Sequence, residues 1–511
     1  MRALMVQGCT SSAGKSLIAT VLCRHFARRG VRVAPFKGQN MSNHARVGHG
    51  GEMGAAQYFQ ALAAGVAPDV RMNPVLVKPQ GERSSQVVLL GAADAQLSRL
   101  PWRARAARLR QPVLQALDSL AREHQLLVLE GAGSPAEINL ADCDLANLAV
   151  ARHARARVLL VADIDRGGAF AHLYGTWSLL EQRDRRRVAG WILNRFRGDA
   201  QLLAPAPQRL AELTGVPTVG VVPLIAHGLP QEDGVVAAGD SAGHVAQRFP
   251  RDTGVAPISS PSSAPVRVAV VRYPTASNLD ELSLVEQVAT LEWARSPAAI
   301  ETADLVVLPG SKHVSADLDW LRAHGLADAL ARRAAAGGRV LAICGGMQIA
   351  GLRLRDHGAG ERDRPGLGLL AIDTHFAPAK RVAAAHARFR KLPAPWHALS
   401  GLPVEGYEIR HGASRPAEQG EHNGAARHGG GPGAAAAPAR ATAQALPDGL
   451  GFVAGPVLGV YPHGLLEDPA VVRALLGAAP QRSVEQAIDE LADAVLPHLD
   501  LDAIDALAGI A

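Results

Sequence analysis

The chain carries a glycine-rich segment that ends in a lysine and a serine, Gly8-Cys-Thr-Ser-Ser-Ala-Gly14-Lys15-Ser16. Small residues let backbone N–H groups surround a phosphate, and the start of a following helix adds its positive dipole. Lys15 would reach the β- and γ-phosphates of a nucleotide, and the Ser16 hydroxyl would bind Mg²⁺. Five residues separate Gly8 from Gly14, one more than in the ordinary P-loop. Because an apolar segment precedes the loop and an amphipathic one follows it, we favour a phosphate-binding loop over a flexible Gly/Ser turn.

Candidate partners for the metal and the nucleotide come at the ends of later apolar segments. Glu130 directly follows residues 126–129 and is a candidate Mg²⁺ ligand. Asp163 and Asp165 repeat this pattern after the next apolar segment, and Asn194 repeats it again, with an amide that could hydrogen-bond a purine edge. In a parallel sheet such residues collect at the carboxyl edge of the strands, where ligands bind.

A further polar segment, residues 35–42, adds a cation, two amides and a hydroxyl to the same predicted edge. The cation is Lys37. Glu52 follows in a Gly-Gly-Glu-Met-Gly sequence, and its carboxylate could share the metal. A solvated loop acid is an equally good interpretation of Glu52.

A cysteine in the second half of the chain has the setting of a nucleophile. Residues 339–343 are apolar except for Arg339 and are followed directly by Cys344-Gly-Gly. This pattern predicts a strand that turns sharply into a helix. Such a turn exposes the sulfur, and the helix N-terminus lowers the thiol pKa. The N–H of Gly345, with a second donor at Gly310, would stabilise an oxyanion. A lone cysteine is more often a small buried apolar residue, but the Gly-Gly sequence after a strand favours the nucleophile here.

A thiolate nucleophile needs a histidine as its acid–base partner. The chain has 19 histidines. His463 is the strongest candidate because it directly follows a late apolar segment, in Tyr-Pro-His-Gly. His313, His375 and His411 are weaker alternatives.

The elements that would position these residues form two series. Residues 1–250 alternate short apolar segments with amphipathic stretches, which predicts a parallel α/β sheet. Residues 251–265 are rich in Pro and Ser and predict a linker. A second α/β series follows over residues 266–511, ending in a helix after Ser483. Within it, residues 416–445 are low in complexity and predict a mobile surface insertion.

The composition excludes several classes of protein. The chain has 511 residues, of which 48% are hydrophobic and 20% charged, so it is neither mainly disordered nor a coiled coil. A net charge of +6 permits anionic small substrates but does not indicate nucleic acid. The four cysteines are far apart, without a CxxC pair, so we expect no zinc site and a reducing, cytoplasmic compartment. No apolar run approaches the length of a membrane span, so we expect neither a membrane segment nor a signal peptide.

Together the motifs resemble the cobyric acid synthase family, the glutamine-dependent amidotransferases of cobalamin biosynthesis. The resemblance covers almost the whole chain. The segments that carry it are QGCTSSAGKS at 7–16, PFKGQNMSNHA at 35–45, MNPVLVKPQG at 72–81, EGAGSPAEINL at 130–140, VADIDRGGAF at 161–170, NRFRGD at 194–199, LPGSKH at 308–313, AICGGMQIAG at 342–351, GYEIRHG at 406–412 and YPHG at 461–464. EGAGSPAEINL and ADIDRGG are highly specific to this family.

The resemblance implies a dethiobiotin-synthetase-like ATP-binding domain joined to a class I-type glutaminase domain. It implies amidation of the b, d, e and g carboxylates of (adenosyl)cobyrinic acid a,c-diamide, with ATP, Mg²⁺ and L-glutamine and without a tightly bound organic cofactor, a nucleic acid or a membrane partner. The residues it carries over are Lys15, Ser16 and Glu130 for nucleotide and metal, Cys344 and His463 as the glutaminase pair, and Lys37, Asp163 and Asp165 near the substrate carboxylate and phosphates.

The chain departs from the family pattern at a few positions. Cys9 stands where threonine is usual, Ser12 where aspartate is common, and Ala342 where the nucleophile turn normally has its first glycine. Many class I glutaminases have a glutamate two residues after the catalytic histidine. Leu465 occupies that position here, and Glu467 comes four residues after His463. The sequence therefore leaves open what orients His463.

Two other functions remain open on the sequence. Cobyrinic acid a,c-diamide synthase has related domains and chemistry, although the segments at 35–43 and 162–168 favour the cobyric acid synthases. A ParA/MinD-like ATP switch would explain the unusual phosphate loop. It would not explain Cys344-Gly-Gly or His463.

Overall fold

The computed structural model describes residues 1–79, 85–225, 266–417 and 441–510. These residues divide into two compact units, one formed by 1–225 with 484–510 and the other by 266–483 with its gap at 418–440. The sequence predicted residues 266–511 as a single second domain, so the contacts correct that boundary for the C-terminal tail. The predicted linker at 251–265 lies outside the described residues.

The first unit is built on a six-stranded parallel sheet, as the sequence predicted. Its strands are short and apolar because both faces of such a sheet are covered. From one edge to the other they are Thr218–Pro223, Val188–Phe196, Arg157–Asp163, Ala3–Gly8, Leu126–Glu130 and Val33–Phe36. The register pairs Val6 with Glu130 and Asp163 with Asn194. Glu130, Asp163 and Asn194 therefore share the carboxyl edge of this sheet.

Smaller elements surround this sheet. The sequence did not predict the short strands Gln39–Met41, Val75–Pro79, Ser85–Leu89 and Ala92–Asp94, which form one sheet, or the pair Ala45–Gly48 and Gly51–Gly54. The helices of residues 1–225 are Lys15–Arg28, Ala55–Ala63, Ala95–Arg99, Trp102–Glu123, Leu148–Ala154, Ala169–Leu179, Gln182–Arg185 and Ala206–Thr214.

The C-terminal tail forms two helices, Val484–Val495 and Leu501–Ala508, that pack in the first unit. Their apolar side chains, among them Ile488 and Leu491, share a buried cluster with Ile18 and other residues of the helix after the phosphate loop. The backbone N–H of Asp500 donates to the Val219 carbonyl at the edge of the sheet. Burial of this apolar face explains why the tail belongs to the first unit.

The second unit contains a seven-stranded mixed sheet. In order across the sheet its strands are Thr290–Ala294, Arg267–Val271, Leu305–Leu308, Arg339–Ile343, Val457–Val460, Gly451–Ala454 and Ala443–Leu446. The first five are parallel neighbours and the last two pair antiparallel. The four strands that the sequence predicted here are present. The sequence predicted a surface insertion over residues 416–445, but residues 443–445 belong to the strand that begins at Ala443, and Pro416 ends a strand of this unit. The middle of the predicted insertion, residues 418–440, lies outside the described residues.

The remaining elements of the second unit include a long antiparallel pair, Ile372–Arg388 with Pro403–Pro416. Short strands accompany it, Arg353–Asp356 and Arg364–Pro365, and a separate pair joins Ala276–Ser277 to Gly310–Ser311. Its helices are Pro297–Thr302, Val314–Ala323, Leu326–Ala335, Gly345–Ala350 and Pro469–Leu476. Among the described residues of both units, no helix has the length and apolarity needed to span a membrane.

Candidate active sites

The predicted phosphate loop joins the strand Ala3–Gly8 to the helix that begins at Lys15. The loop turns through two left-handed residues, Ser12 with φ 58° and Gly14 with φ 101°. The Lys15 side chain folds back over the loop, and its Nζ lies 3.1 Å from the Thr10 carbonyl oxygen. Lys15 and the helix N-terminus therefore face the concave side of the loop, where a phosphate would lie.

Asn194 contacts the phosphate loop directly. Its Nδ2 donates a hydrogen bond of 2.9 Å to the Ala13 carbonyl. A Cβ atom added at Gly14 would lie 2.0 Å from that nitrogen, so only glycine fits between the turn and Asn194. The contact buttresses the loop, a role that sequence reasoning did not predict, and the predicted contact of Asn194 with a purine stays a prediction.

Glu130 is the centre of a buried polar cluster. Its side chain is inaccessible to solvent, and its Oε1 accepts hydrogen bonds of 2.8 Å from both Ser16 Oγ and Lys37 Nζ. Its Oε2 accepts from Gln60 at 2.6 Å and from Gln57 at 3.3 Å. A buried carboxylate is tolerated only when it is paired and hydrogen-bonded in this way. The two glutamines were missed from the sequence, although their three-residue spacing places them on one face of a helix.

Two of the predicted magnesium ligands, Ser16 and Glu130, lie next to each other. Ser16 and Glu130 provide adjacent hydroxyl and carboxylate oxygens, the type of ligand that Mg²⁺ prefers. No cluster of three or more His, Cys, Asp or Glu side chains suited to a metal occurs within the described part of the chain. The residues therefore fit an ion held jointly with the phosphate oxygens of a nucleotide. Glu52 forms a buried ion pair with Lys78, and its predicted share in the metal stays a prediction.

Asp163 and Asp165 lie at the same sheet edge and are paired with arginines. Asp163 Oδ2 accepts from Arg195 at 2.8 Å, and its Oδ1 accepts from the backbone N–H of Asp165 at 3.0 Å. The Asp165 carboxylate lies 3.1 Å from Arg197 Nε. Both arginines belong to the segment at 194–199 that the sequence singled out for Asn194. The two aspartates thus hold the end of the neighbouring strand and the loop that follows it.

In the second unit the predicted nucleophile sits in a sharp turn. Cys344 follows the strand Arg339–Ile343, has φ 51° and ψ −108°, and precedes the helix Gly345–Ala350. Its backbone N–H donates to the Val460 carbonyl at 2.7 Å. A positive φ is unfavourable for cysteine and is kept only where the surroundings fix it. The sequence predicted this strand, turn and helix.

His463 lies against Cys344. The two side chains are close enough for each to shift the pKa of the other, and His463 is only 2% exposed. The Tyr407 ring stacks on the imidazole with 5.5 Å between centroids. Of the alternatives from the sequence, His313 pairs with Glu361 and His375 stacks on His357. His411 contacts the Ala377 carbonyl.

Gly310 and Gly345, the two predicted oxyanion donors, belong to turns that meet beside Cys344 and His463. A Cβ atom at Gly310 would lie 2.8 Å from His463 Cε1, and one at Gly345 would lie 2.6 Å from the Ser311 backbone nitrogen. The Tyr273 hydroxyl donates to the Pro309 carbonyl. This close packing requires glycine at both positions, and their role as oxyanion donors stays a prediction.

A residue that the sequence analysis missed also contacts His463. Glu281 Oε1 lies 2.9 Å from His463 Nδ1, and Glu281 Oε2 accepts from the backbone N–H of Gly464 at 3.1 Å. Glu281 is 1% exposed and lies on the short 3₁₀ turn Leu279–Leu282. It precedes His463 by 182 residues, and no local pattern marks it.

These contacts change the acidity of the buried side chains. Burial alone would raise the pKa of the Cys344 thiol, but the charge of His463 lowers that pKa below its ordinary value. Burial alone would lower the pKa of His463, but Cys344 and Glu281 raise it to about 10. Both shifts favour the thiolate and the imidazolium, the reactive form of a cysteine nucleophile.

Two family models match the chain. Residues 4–227 match the CobQ/CobB/MinD/ParA nucleotide binding domain, and residues 267–471 match the CobB/CobQ-like glutamine amidotransferase domain. Each model thus covers one of the two candidate sites.

Curated relatives match over nearly their full length. A cobyric acid synthase of Polaromonas sp. (strain JS666) is 48% identical over 99% of this chain and 98% of its own. Those of Polaromonas naphthalenivorans and Variovorax paradoxus are each 49% identical over 99% of both chains.

Two solved structures resemble part of the chain. A glutamine amidotransferase is 18% identical, covers 41% of this chain and 99% of its own, and has a TM-score of 0.30. The PurLQS structure from Thermotoga maritima is 13% identical, covers 46% of this chain and 99% of its own, and has a TM-score of 0.29.

Proposed function

We propose, from the premise that this chain belongs to the cobyric acid synthase family, that its two sites perform successive parts of one amidation. The chain is a glutamine-dependent amide ligase. The substrate is (adenosyl)cobyrinic acid a,c-diamide, and the b, d, e and g carboxylates become amides to give cobyric acid. The site on the first unit activates each carboxylate with ATP, and the site on the second releases ammonia from glutamine.

The phosphate loop activates the carboxylate. A carboxylate is a poor electrophile, so its oxygen attacks the γ-phosphorus of ATP and forms an acyl phosphate while ADP leaves. Lys15 and the loop N–H groups stabilise the charge that shifts during this transfer. Ser16 and Glu130 would hold a magnesium ion, which neutralises phosphate charge when it is bound. Lys37, 2.8 Å from Glu130, orients the incoming substrate carboxylate by its own charge.

The cysteine site supplies the nitrogen. The Cys344 thiolate attacks the side-chain amide carbon of glutamine, and the backbone N–H groups of Gly345 and Gly310 stabilise the oxyanion. The C–N bond breaks as His463 donates its proton to the leaving ammonia. Water then hydrolyses the thioester, giving glutamate and the free thiol. Ammonia attacks the acyl phosphate carbon, the C–O bond to phosphate breaks, and the amide forms.

One observation carries this proposal. Cys344 lies in a strained turn with a positive φ. The charge of the buried His463 lowers the pKa of its thiol, and the other unit of the chain has Lys15 folded over a glycine-rich loop. An ATP switch of the ParA/MinD type would not require Cys344 and His463. Cobyrinic acid a,c-diamide synthase would share both sites and differs in its product, which the amide count distinguishes.

Oxygen transfer tests the acyl phosphate step. The substrate carboxylates are labelled with ¹⁸O, and inorganic phosphate is analysed by mass spectrometry after turnover with ATP and glutamine. The mechanism predicts one ¹⁸O in phosphate for each amide formed, because the leaving phosphate keeps one carboxylate oxygen. Amide formation with unlabelled phosphate would contradict activation by phosphoryl transfer to the carboxylate.

Glu130→Gln is expected to lower ATP-dependent amidation by at least about a hundredfold while glutamine hydrolysis at Cys344 continues, because the charge at the predicted cation site is lost. Amidation rates, glutamate release and thermal unfolding are measured together, since Lys37 loses its buried partner. Glu52→Gln is the matched variant, because Glu52 also pairs with a buried lysine. A comparable loss would show that breaking a buried ion pair is enough to abolish amidation, and the assignment of Glu130 to the metal would lose its support. Wild-type amidation by Glu130→Gln would exclude Glu130.

A further inference from the structure

Glu281 joins the histidine of the candidate glutaminase site to a distant part of the chain. One carboxylate oxygen contacts the imidazole Nδ1 at 2.9 Å, and the other accepts the N–H of Gly464 at 3.1 Å. The carboxylate therefore fixes both the ring of His463 and the backbone that follows it. Because Nδ1 donates to Glu281, only Nε2 of the ring is left to face Cys344.

The turn that carries Glu281 also positions Tyr407, whose ring covers one face of the His463 imidazole. Asn278, three residues earlier, donates from Nδ2 to the Tyr407 hydroxyl at 2.8 Å, and the Tyr407 ring stacks on His463. His463 and Tyr407 additionally exchange two backbone hydrogen bonds, of 2.9 and 3.1 Å. The imidazole is thus confined by a carboxylate at its edge and an aromatic ring on its face, both anchored to residues 278–281.

We propose that Glu281 is the positioning residue that orients His463 toward Cys344, in place of the glutamate that many class I glutaminases carry two residues after the histidine. This rests on the proposed function, in which Cys344 is the nucleophile. A nucleophile–histidine–carboxylate arrangement is defined by geometry and not by order in the chain. Here the order is carboxylate, cysteine, histidine, and Leu465 occupies the position where the sequence would have placed the acid.

The charges around Cys344 and His463 allow the proposal to be tested by the pH dependence of the thiol. Glu281 adds a negative charge beside His463 and so helps to keep the imidazole protonated, which in turn stabilises the thiolate. Glu281→Gln keeps the shape and removes that charge, so the pKa of His463 should fall and the pKa of the Cys344 thiol should rise. Other titratable or charged groups also act on this cluster. They are Asp280 and Glu467 beside Glu281, Arg410, Lys312, Tyr273 and Tyr461 near Cys344, and the Tyr407 phenol stacked on His463.

The experiment compares Glu281→Gln with Glu467→Gln, which alters the acid that the sequence offers four residues after His463. For each variant, glutamate release is measured with ATP and corrinoid substrate present. Ammonia-dependent amidation is measured as well. The rate of Cys344 alkylation by iodoacetamide is measured as a function of pH, with peptide mass spectrometry to identify the alkylated cysteine. We expect kcat for glutamine hydrolysis to fall at least about a hundredfold in Glu281→Gln, with the KM for glutamine within a few-fold. The alkylation profile should move to higher pH and ammonia-dependent amidation should persist. Glu467→Gln should keep the wild-type kcat within a few-fold, and its alkylation profile should move far less than that of Glu281→Gln.

Three results would overturn the role of Glu281: a kcat within a few-fold of wild type, loss of hydrolysis with an unshifted alkylation profile, or the shift occurring in Glu467→Gln instead. If Glu281→Gln does not fold, Glu281→Asp takes its place, because it keeps the charge. It should show the wild-type alkylation profile with a reduced kcat, and a shifted profile would contradict the proposal. Failure of the proposed function itself is recognised separately, because Cys344→Ala would then still hydrolyse glutamine.

Discussion

Cys344→Ala is expected to lose glutamine-dependent amidation and to keep ammonia-dependent amidation near the wild-type rate. The substitution removes the sulfur that forms the thioester, and alanine is smaller than cysteine, so the turn at φ 51° can persist without a clash. The phosphate loop belongs to the other unit and is unchanged. Loss of a covalent nucleophile commonly lowers such a rate by several orders of magnitude, roughly a millionfold in a well-studied hydrolase.

The measurement is product amidation with each nitrogen donor in turn. Ammonium at alkaline pH supplies NH₃ directly and bypasses the cysteine site. Cys143→Ala is the matched control, because Cys143 is also a buried free cysteine but lies in the first unit, and it should use both donors normally. Glutamine-dependent amidation by Cys344→Ala would show that Cys344 is not the nucleophile.

Lys15→Ala is expected to lose amidation with both donors, by about a thousandfold or more, because activation of the carboxylate precedes attack by either source of nitrogen. Lys15 is the cation that folds over the phosphate loop, with its Nζ 3.1 Å from the Thr10 carbonyl oxygen. Its removal takes away the charge that would lie against the β- and γ-phosphates.

The two donors are compared in Lys15→Ala as in Cys344→Ala, and ADP formation is followed in parallel. Lys391→Ala, which removes an exposed lysine, is the control and should retain both activities. Normal ammonia-dependent amidation by Lys15→Ala would mean that the loop does not activate the carboxylate. An ATP-switch role for the first unit would then regain support.

The parts of the molecule that depend on local sequence were predictable. Apolar segments of about five residues separated by amphipathic ones indicate parallel strands and helices. The glycine-rich loop before Lys15 and the Gly-Gly after Cys344 both mark sharp turns between a strand and a helix. In each case the residues that fix the backbone are adjacent to the residue that carries the chemistry.

Contacts between distant segments were not predictable. Glu281 meets His463 across 182 residues, and Asn194 supports the phosphate loop from another strand. The tail from Val484 resembles any amphipathic helix, and its apolar face does not specify that it packs against the helix that begins at Lys15. Such pairings are decided by tertiary packing, which hydrophobic pattern and residue type do not encode locally.

Nitrogen counting tests the central claim most directly. Cobyrinic acid a,c-diamide is incubated with the wild-type chain, ATP and glutamine labelled with ¹⁵N in its side-chain amide, and the corrinoid product is analysed by mass spectrometry. The proposed function predicts four new amides per corrinoid, all labelled, with no labelled amide in Cys344→Ala or Lys15→Ala. A corrinoid recovered without any new amide, although ATP is hydrolysed, would contradict it.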